Sequence, residues 1–287
     1  RGAVTLADKL RVSPLIIGLT IIAFGTSAPE LTVSLNAALN GQPDISIGNV
    51  VGSNIANILL VMGAMAVVSP FLVNHGTLAR DGGFMLGVSG LLFVLGIVGM
   101  IDRPVGIALF FILIGFTYYL YTATREVEDT AEAEAGVVEN RVPGGALMAA
   151  MVLLVGIVGV VWGAELMVNG AVALARQWGI PEAVIALSLV AIGTSLPELA
   201  VSLVAAMRGH AGLAVGNIIG SNISNILLIL GVTSMVAPLP ISDMMAMRDI
   251  PIMIGVACLG LIFMASGRAM SRVEGGICLA LYAAYMG

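Results

Sequence analysis

The sequence predicts an all-α membrane protein of ten transmembrane helices, arranged as an inverted repeat of five plus five. Three observations carry this expectation. The 287 residues are 59% hydrophobic and only 10% charged, with a mean hydropathy of +1.07, whereas a soluble domain carries about 25% charged residues. At about 20 apolar residues per span the length accommodates about ten helices. The chain is also duplicated: one offset, 168 residues, carries Glu30 onto Glu198, Gly48-Asn49 onto Gly216-Asn217 and Gly52-Ser53-Asn54-Ile55 onto Gly220-Ser221-Asn222-Ile223. The same offset carries Asn57 onto Asn225, Pro70 onto Pro238 and Arg80-Asp81 onto Arg248-Asp249. Finally, each copy reads as an odd number of helices, so the copies enter the membrane with opposite orientation.

In chain order the helices are expected as a stub at 1–8, then 13–39, 45–69, 78–100, 104–124, 144–177, 182–207, 212–237, 246–266 and 274–287. Breakers and charges mark the turns between them, among them Asn40 to Asp44, Asn74 to Gly76, Asp102 to Pro104, Gly179 to Pro181, Arg208 to His210 and Pro238 to Pro240. The apolar lead-in at 147–162 has no counterpart before residue 1, and the last run, 275–287, is shorter than its partner at 104–121. The first helix is therefore expected to be truncated and the last shortened. No signal-peptide pattern opens the chain. The organisation expected is a first half at 1–124, an acidic linker at 125–142 and a second, inverted half at 143–287. The linker holds Glu126, Glu128, Asp129, Glu132, Glu134 and Glu139, without the spacing of a calcium loop, and reads as a solvated connection.

Charge placement orients the chain. With the linker cytoplasmic, Lys9, Arg11, Arg80, Arg125, Arg141, Arg208, Arg268 and Arg272 fall inside, and Arg103, Arg176 and Arg248 outside, in accord with the positive-inside rule. Tyr118, Tyr119 and Tyr121 form an interfacial belt beside Arg125. No basic stripe exists for nucleic acid. Cys258 and Cys278 lie in apolar runs and read as buried thiols. His75 and His210 lie in loops, neither with a second histidine nearby to suggest a metal site.

The chemistry is concentrated in Gly25-Thr26-Ser27-Ala28-Pro29-Glu30 and its echo Gly193-Thr194-Ser195-Leu196-Pro197-Glu198. A carboxylate at bilayer depth is expensive and marks a functional site. Pro29 and Pro197 cannot donate to the carbonyls of Gly25 and Gly193, so each helix is interrupted beside its glutamate. Thr26 and Glu30 share a helix face at i, i+4, and Ser53 and Asn57 do the same, as do Ser221 and Asn225. Carboxylates, hydroxyls and released carbonyls are the donors that hard cations want. Against this stand structural readings: glutamates neutralised by arginine or a proton, and Ser and Asn acting as interhelical glue. Gly48 and Gly52, and Gly216 and Gly220, have the G-x-x-x-G spacing of close helix contacts. Glu165, in a mostly apolar helix, has no assigned role.

The doubled signatures Gly-Thr-Ser-x-Pro-Glu and Gly-Asn-x-x-Gly-Ser-Asn-x-x-Asn-Ile-Leu resemble the alpha repeats of the calcium/cation antiporter superfamily, most closely its prokaryotic sodium/calcium exchanger branch. The resemblance implies ion sites between the second, third, seventh and eighth helices, in a multi-pass protein of the prokaryotic plasma (inner) membrane. It implies that Glu30 and Glu198 hold Ca²⁺ with the carbonyls of Thr26 and Thr194. Ser27, Ser195, Ser53, Ser221 and the carbonyls of Ala23 and Ala191 would serve Na⁺, with Asn57 and Asn225 lining the centre. The partners implied are the lipid bilayer and the transported Ca²⁺ and Na⁺, with no cofactor and no enzymatic role. Relatives often carry an aspartate where Asn225 stands, which speaks against potassium coupling. A proton-coupled or other divalent-cation exchanger of the same fold remains open, and further off stand an ion channel and an intramembrane hydrolase. On this reading, replacing the acids of 126–139 by Ser or Gln leaves Na⁺-dependent Ca²⁺ flux in vesicles unchanged. A large shift in its calcium dependence would make the linker a regulatory site.

Overall fold

The computed structural model describes residues 1–10, 12–73, 76, 78–125, 142–178, 191–265 and 269–286. The acidic linker residues 126–141, the turn at Gly179 to Pro181, the front of the helix expected at 182–207, and Arg11, His75, Arg141 and Arg268 lie outside them.

The described chain is helical almost throughout. Helices α1 (Gly2–Leu10), α2 (Pro14–Thr26), α3 (Ala28–Leu39), α4 (Pro43–Val68), α5 (Leu78–Val98) and α6 (Arg103–Arg125) precede the linker. After it come α7 (Ala146–Gln177), α8 (Ala191–Thr194), α9 (Leu196–Met207), α10 (Ala211–Val236), α11 (Met245–Ala265) and α12 (Arg272–Met286). The expected helix at 13–39 is thus two pieces, α2 and α3, meeting at 45°. Ser27 forms the joint at φ −80°, ψ 7°, and Ser195, between α8 and α9, has nearly the same conformation at φ −87°, ψ 3°. Pro29 and Pro197 then fall in the first turn of the restarted helix, where a missing N–H costs nothing.

A second irregularity follows in each half. The backbone widens to a π-helical turn at Asn57–Met62 in α4 and at Asn225–Leu230 in α10. Such turns loosen the regular carbonyl ladder and cluster at functional sites. Further π turns open α5, at Leu78–Gly82, and α11, at Met245–Asp249. At each of these Arg80 and Arg248 clasp the adjacent carboxylate of Asp81 and Asp249, at 2.6 Å and 2.8 Å.

Burial separates core from periphery. Of the apolar window of α10, 94% is enclosed by protein and of α4 78%, against 17% for α7. The exposed faces of α5, α6 and α7 carry Ile97, Phe111, Leu154 and Val155, each at least 60% exposed. Those apolar faces suit a bilayer, in which lipid tails are the solvent. The two halves interlock reciprocally: Gly275 of α12 lies against Gly63 and Ala66 of α4, while Gly106 of α6 lies against Gly231 and Ser234 of α10. Short antiparallel contacts repeat the exchange, Ile101 with Leu239 and Phe71 with Met270. Cys258 and Cys278 are free thiols.

The G-x-x-x-G expectation holds for the second copy. A Cβ on Gly216 would strike the Leu15 carbonyl oxygen, and one on Gly220 the Leu19 carbonyl oxygen, so α10 rides directly on the backbone of α2. Gly48 has only the Met245 methyl near it and Gly52 has no neighbour within 4 Å among the described residues; the repeat-related counterpart of the α2 contact segment lies outside them. Gly216→Ala should therefore destabilise the detergent-solubilised protein by about 1–3 kcal/mol, read as a lowered melting temperature. Gly255→Ala, on α11 with open space around it, should leave the melting temperature unchanged or slightly raised.

Candidate functional site

The two helix breaks face one another through the core. Glu30 and Glu198 are each 1% exposed, each in the first turn of its restarted helix, where the positive end of the helix dipole favours an anion. The carboxylates are near enough to repel one another, and Thr194 stands beside Glu30. Thr26, Ser27 and Ser221 stand beside Glu198. Ser27 Oγ donates across the halves to Glu198 Oε1 at 3.3 Å. Among the described residues Arg80 and Arg248 pair with Asp81 and Asp249, and no ion pair neutralises either glutamate.

What the site offers is unpaired oxygen. Both carboxylate oxygens of Glu30, Oε2 of Glu198, Oδ1 of Asn57 and Asn225, and Oγ of Ser195 and Ser221 are buried with no hydrogen-bond partner among the described residues. A buried anion left without a counter-charge costs several kcal/mol, and buried polar groups are otherwise almost always paired. An all-oxygen set of two carboxylates, amide oxygens and hydroxyls matches Ca²⁺ and similar hard cations rather than zinc or other soft metals.

Of the sequence-predicted residues, Thr194 stands beside Glu30, and Thr26, Ser27 and Ser221 stand beside Glu198. Thr26, Ser27, Glu30, Ser53, Asn57, Thr194, Ser195, Glu198, Ser221 and Asn225 are all buried. Ala23 is buried too, but its carbonyl already accepts the Ser27 N–H at 3.0 Å and lies 3.4 Å from the Thr26 hydroxyl, so it contributes less free oxygen than the side chains do. Ala191 opens the short helix α8. His210 stands at the head of α10, outside the span.

Sequence reasoning passed over a supporting layer. Asn49 Nδ2 donates to the Glu30 carbonyl at 3.1 Å and to Ser34 Oγ at 2.9 Å, and Asn217 Nδ2 donates to Ser202 Oγ at 3.0 Å. These tie α3 to α4 and α9 to α10 beside each glutamate. The signal was present, because Asn49 and Ser34 map onto Asn217 and Ser202 under the repeat offset. Asn54 and Asn222, which the repeat offset also pairs, hold Asn225 and Asn57, at 3.0 Å and 3.2 Å. Glu165 is exposed on α7 and lines an open cavity of about 350 Å³ with Pro29, Thr194 and Pro197.

The family profile described as sodium/calcium exchanger protein matches residues 1–122 and 148–287. A protein designated antiporter CaxA in Alkalimonas amylolytica is 40% identical over 292 residues, covering 99% of this chain and 90% of its own. The sodium/calcium exchanger MaX1 of Methanosarcina acetivorans is 34% identical over 320 residues, covering 100% of this chain and 91% of its own. The solved structure of the sodium-calcium exchanger NCX_Mj soaked with 2.5 mM Na⁺ and 1 mM Sr²⁺ superposes with a TM-score of 0.83 at 33% identity, covering 99% of this chain and 90% of that one.

Ca²⁺ should stabilise the detergent-solubilised protein against heat. Removing one charge from a buried, paired set costs about 3–5 kcal/mol, so Glu30→Gln and Glu198→Gln should each weaken Ca²⁺ binding by more than about a hundredfold. An undiminished Ca²⁺-dependent rise in melting temperature in either variant would remove that carboxylate from the site.

Proposed function

The chain belongs to the sodium/calcium exchanger family, and on that premise we propose that it is a multi-pass antiporter that exchanges Na⁺ for Ca²⁺ by alternating access. One observation carries the reading: the buried oxygens of Glu30, Asn57, Asn225, Ser195 and Ser221, and Oε2 of Glu198, that have no hydrogen-bond partner among the described residues. Glu30 and Glu198 supply the charge that balances one Ca²⁺ or two Na⁺. Thr26, Thr194, Ser27, Ser195, Ser53 and Ser221 surround that pair with neutral oxygen, and the carbonyls of Ala23 and Ala191 complete the Na⁺ positions. Because the two ions draw on the same carboxylates, occupancy by one excludes the other, which is the requirement for exchange rather than co-transport.

The halves 1–124 and 143–287, joined by 125–142, are inverted repeats in this reading. The reciprocity of the contacts supports it: exchanging the halves converts the Asn57 to Asn222 bond into the Asn225 to Asn54 bond. Broken helices whose N-terminal ends meet at the substrate site are the plan on which inverted-repeat transporters rock between two open states. Exchange of three Na⁺ for one Ca²⁺ would move one net charge per cycle, coupled to the membrane potential at about 2.3 kcal/mol per 100 mV. Inward Na⁺ then drives Ca²⁺ out across the prokaryotic plasma membrane.

The test is Ca²⁺ uptake into proteoliposomes with Na⁺, K⁺ and H⁺ gradients imposed one at a time. An outward Na⁺ gradient should drive uptake, and replacing K⁺ by choline should not change it, because Asn57 and Asn225 add no charge to hold a further cation. Uptake driven by a pH gradient without Na⁺ would overturn the ion assignment in favour of a proton-coupled exchanger, and flux without any counter-ion gradient would favour a channel.

A further inference from the structure

Behind the ion-lining positions lies a second layer of amides whose hydrogen bonds run across the two halves. Asn57 donates Nδ2 to Asn222 Oδ1 at 3.2 Å, and Asn225 donates Nδ2 to Asn54 Oδ1 at 3.0 Å. Asn54 Nδ2 in turn points at the Asn222 carbonyl at 3.3 Å and Met253 Sδ at 3.5 Å, and Asn222 Nδ2 at Met85 Sδ at 3.4 Å. All four asparagines are at most 3% exposed, and a small gap bordered by Met85, Ser89, Met253 and Ala257 backs Asn54 and Asn222.

The direction of these bonds has a chemical consequence. An amide has donors on one side and an acceptor on the other, and its two orientations have nearly the same shape. Asn54 cannot turn over, because its oxygen would then meet the Asn222 carbonyl and the Met253 sulfur, both acceptors. It therefore presents Oδ1 to position 225, which must answer with a donor. Asn222, with its Nδ2 on Met85 Sδ, makes the same demand of position 57. Once Asn57 and Asn225 have committed their N–H groups, their own oxygens are left unpaired and buried.

We infer that Asn54 and Asn222 are positioning residues that select a neutral amide at 225 and 57 and turn its oxygen toward the transported cation, an inference that rests on the exchange reading above. The two halves thus orient each other's ligands. A carboxylate at 225 would set an acceptor against Asn54 Oδ1, and it could make that contact only by holding a proton. The titratable groups of the neighbouring helices point the same way. Glu30 on α3 and Glu198 on α9 are like-charged, and α5 and α11 present Met85, Ser89, Met253 and Ala257. On α6 the residues against α10 are Gly106, Leu109 and Phe110, with Arg103 and Arg125 at its ends, and Asp44 lies at the far end of α4.

The experiment reads that proton directly. Infrared difference spectra of Asn225→Asp against the parent, titrated with pH in detergent, isolate the C=O stretch of the added carboxylic acid from the titrations of Glu30 and Glu198. The same titration is run on Asn54→Ala/Asn225→Asp against Asn54→Ala. The expected result is a midpoint at least about one pH unit lower in the double variant, a tenfold easier ionisation, because the acceptor that demanded the proton is gone. Coincident midpoints overturn the proposal. If the alanine variant does not fold, Asn54→Ser, whose hydroxyl donates as readily as it accepts, replaces it with the same expectation. In proteoliposomes Asn54→Ala and Asn222→Ala should each raise the Ca²⁺ concentration for half-maximal exchange about tenfold with the maximal rate near that of the parent. A loss of maximal rate at unchanged Ca²⁺ dependence would count against the positioning role. Shifted infrared midpoints in a parent that shows no Na⁺-driven uptake would leave the amide selection standing and remove the exchange reading.

Discussion

Two like charges sharing a site inside a membrane protein, with no basic partner among the described residues, are the constraint on which the rest of this structure depends. Glu30 and Glu198 are almost wholly buried, and among the described residues neither desolvation nor mutual repulsion is offset by arginine or lysine. Bilayer-spanning proteins keep such groups only where they face the protein interior and meet ions or partners. The backbone answers the charge before any side chain does. Each helix stops at Ser27 or Ser195 and restarts so that the glutamate sits in the new first turn, where unbonded N–H groups carry partial positive charge. Proline there costs nothing for the restarted helix and prevents an unbroken one, which would have left the carboxylate against mid-helix carbonyls.

On the proposed reading, a charge balanced by a mobile ion also explains why the site is shared. Either half alone supplies one carboxylate and would leave a dication half-neutralised. Joined across the core, the halves supply two carboxylates and several buried neutral oxygens, and each braces the other. Ser27 reaches Glu198, Thr26 lies within 3.4 Å of Asn217, and the four asparagines cross. The helices that carry the ligands are the enclosed ones, with α10 riding on the backbone of α2 through Gly216 and Gly220. The long helix α7 sits at the edge with most of its surface turned outward.

Much of this was legible in the residues because it depends on composition and on a repeat. The apolar content gave the class, the offset gave the pairing of Glu30 with Glu198, and proline before glutamate gave the break. Less was legible where the outcome depends on which way a side chain turns. Asn54 and Asn57 have the same amide and differ by one helical turn, yet one braces and the other lends its oxygen. Nothing local separates them; the difference lies in Met253 and the Asn222 carbonyl, far away in the chain. The π turns at Asn57 and Asn225 were similarly hidden, since a widened turn has no residue signature comparable to proline. Gly48 and Gly216 show the converse, identical motifs in sequence whose described surroundings differ.

The neutral amides at 57 and 225 bear finally on how selectivity arises. A third carboxylate would raise attraction for every cation, but it would also deepen the repulsion already present between Glu30 and Glu198, and some of that charge would be cancelled by protons. Amide oxygens add coordination without adding charge. They favour an ion that needs many oxygen ligands, and Ca²⁺ takes six to eight, while leaving the net charge at the value one Ca²⁺ or two Na⁺ can match. In the proposed site, holding those amides by their N–H groups makes the arrangement one-sided, with the donors committed to Asn222 and Asn54 and the free oxygens left to a cation. Cation preference is then set by how many oxygens converge, and competition between the ions by the fixed pair of charges. In the proposed site the two properties reside in different residues, the asparagines and the glutamates.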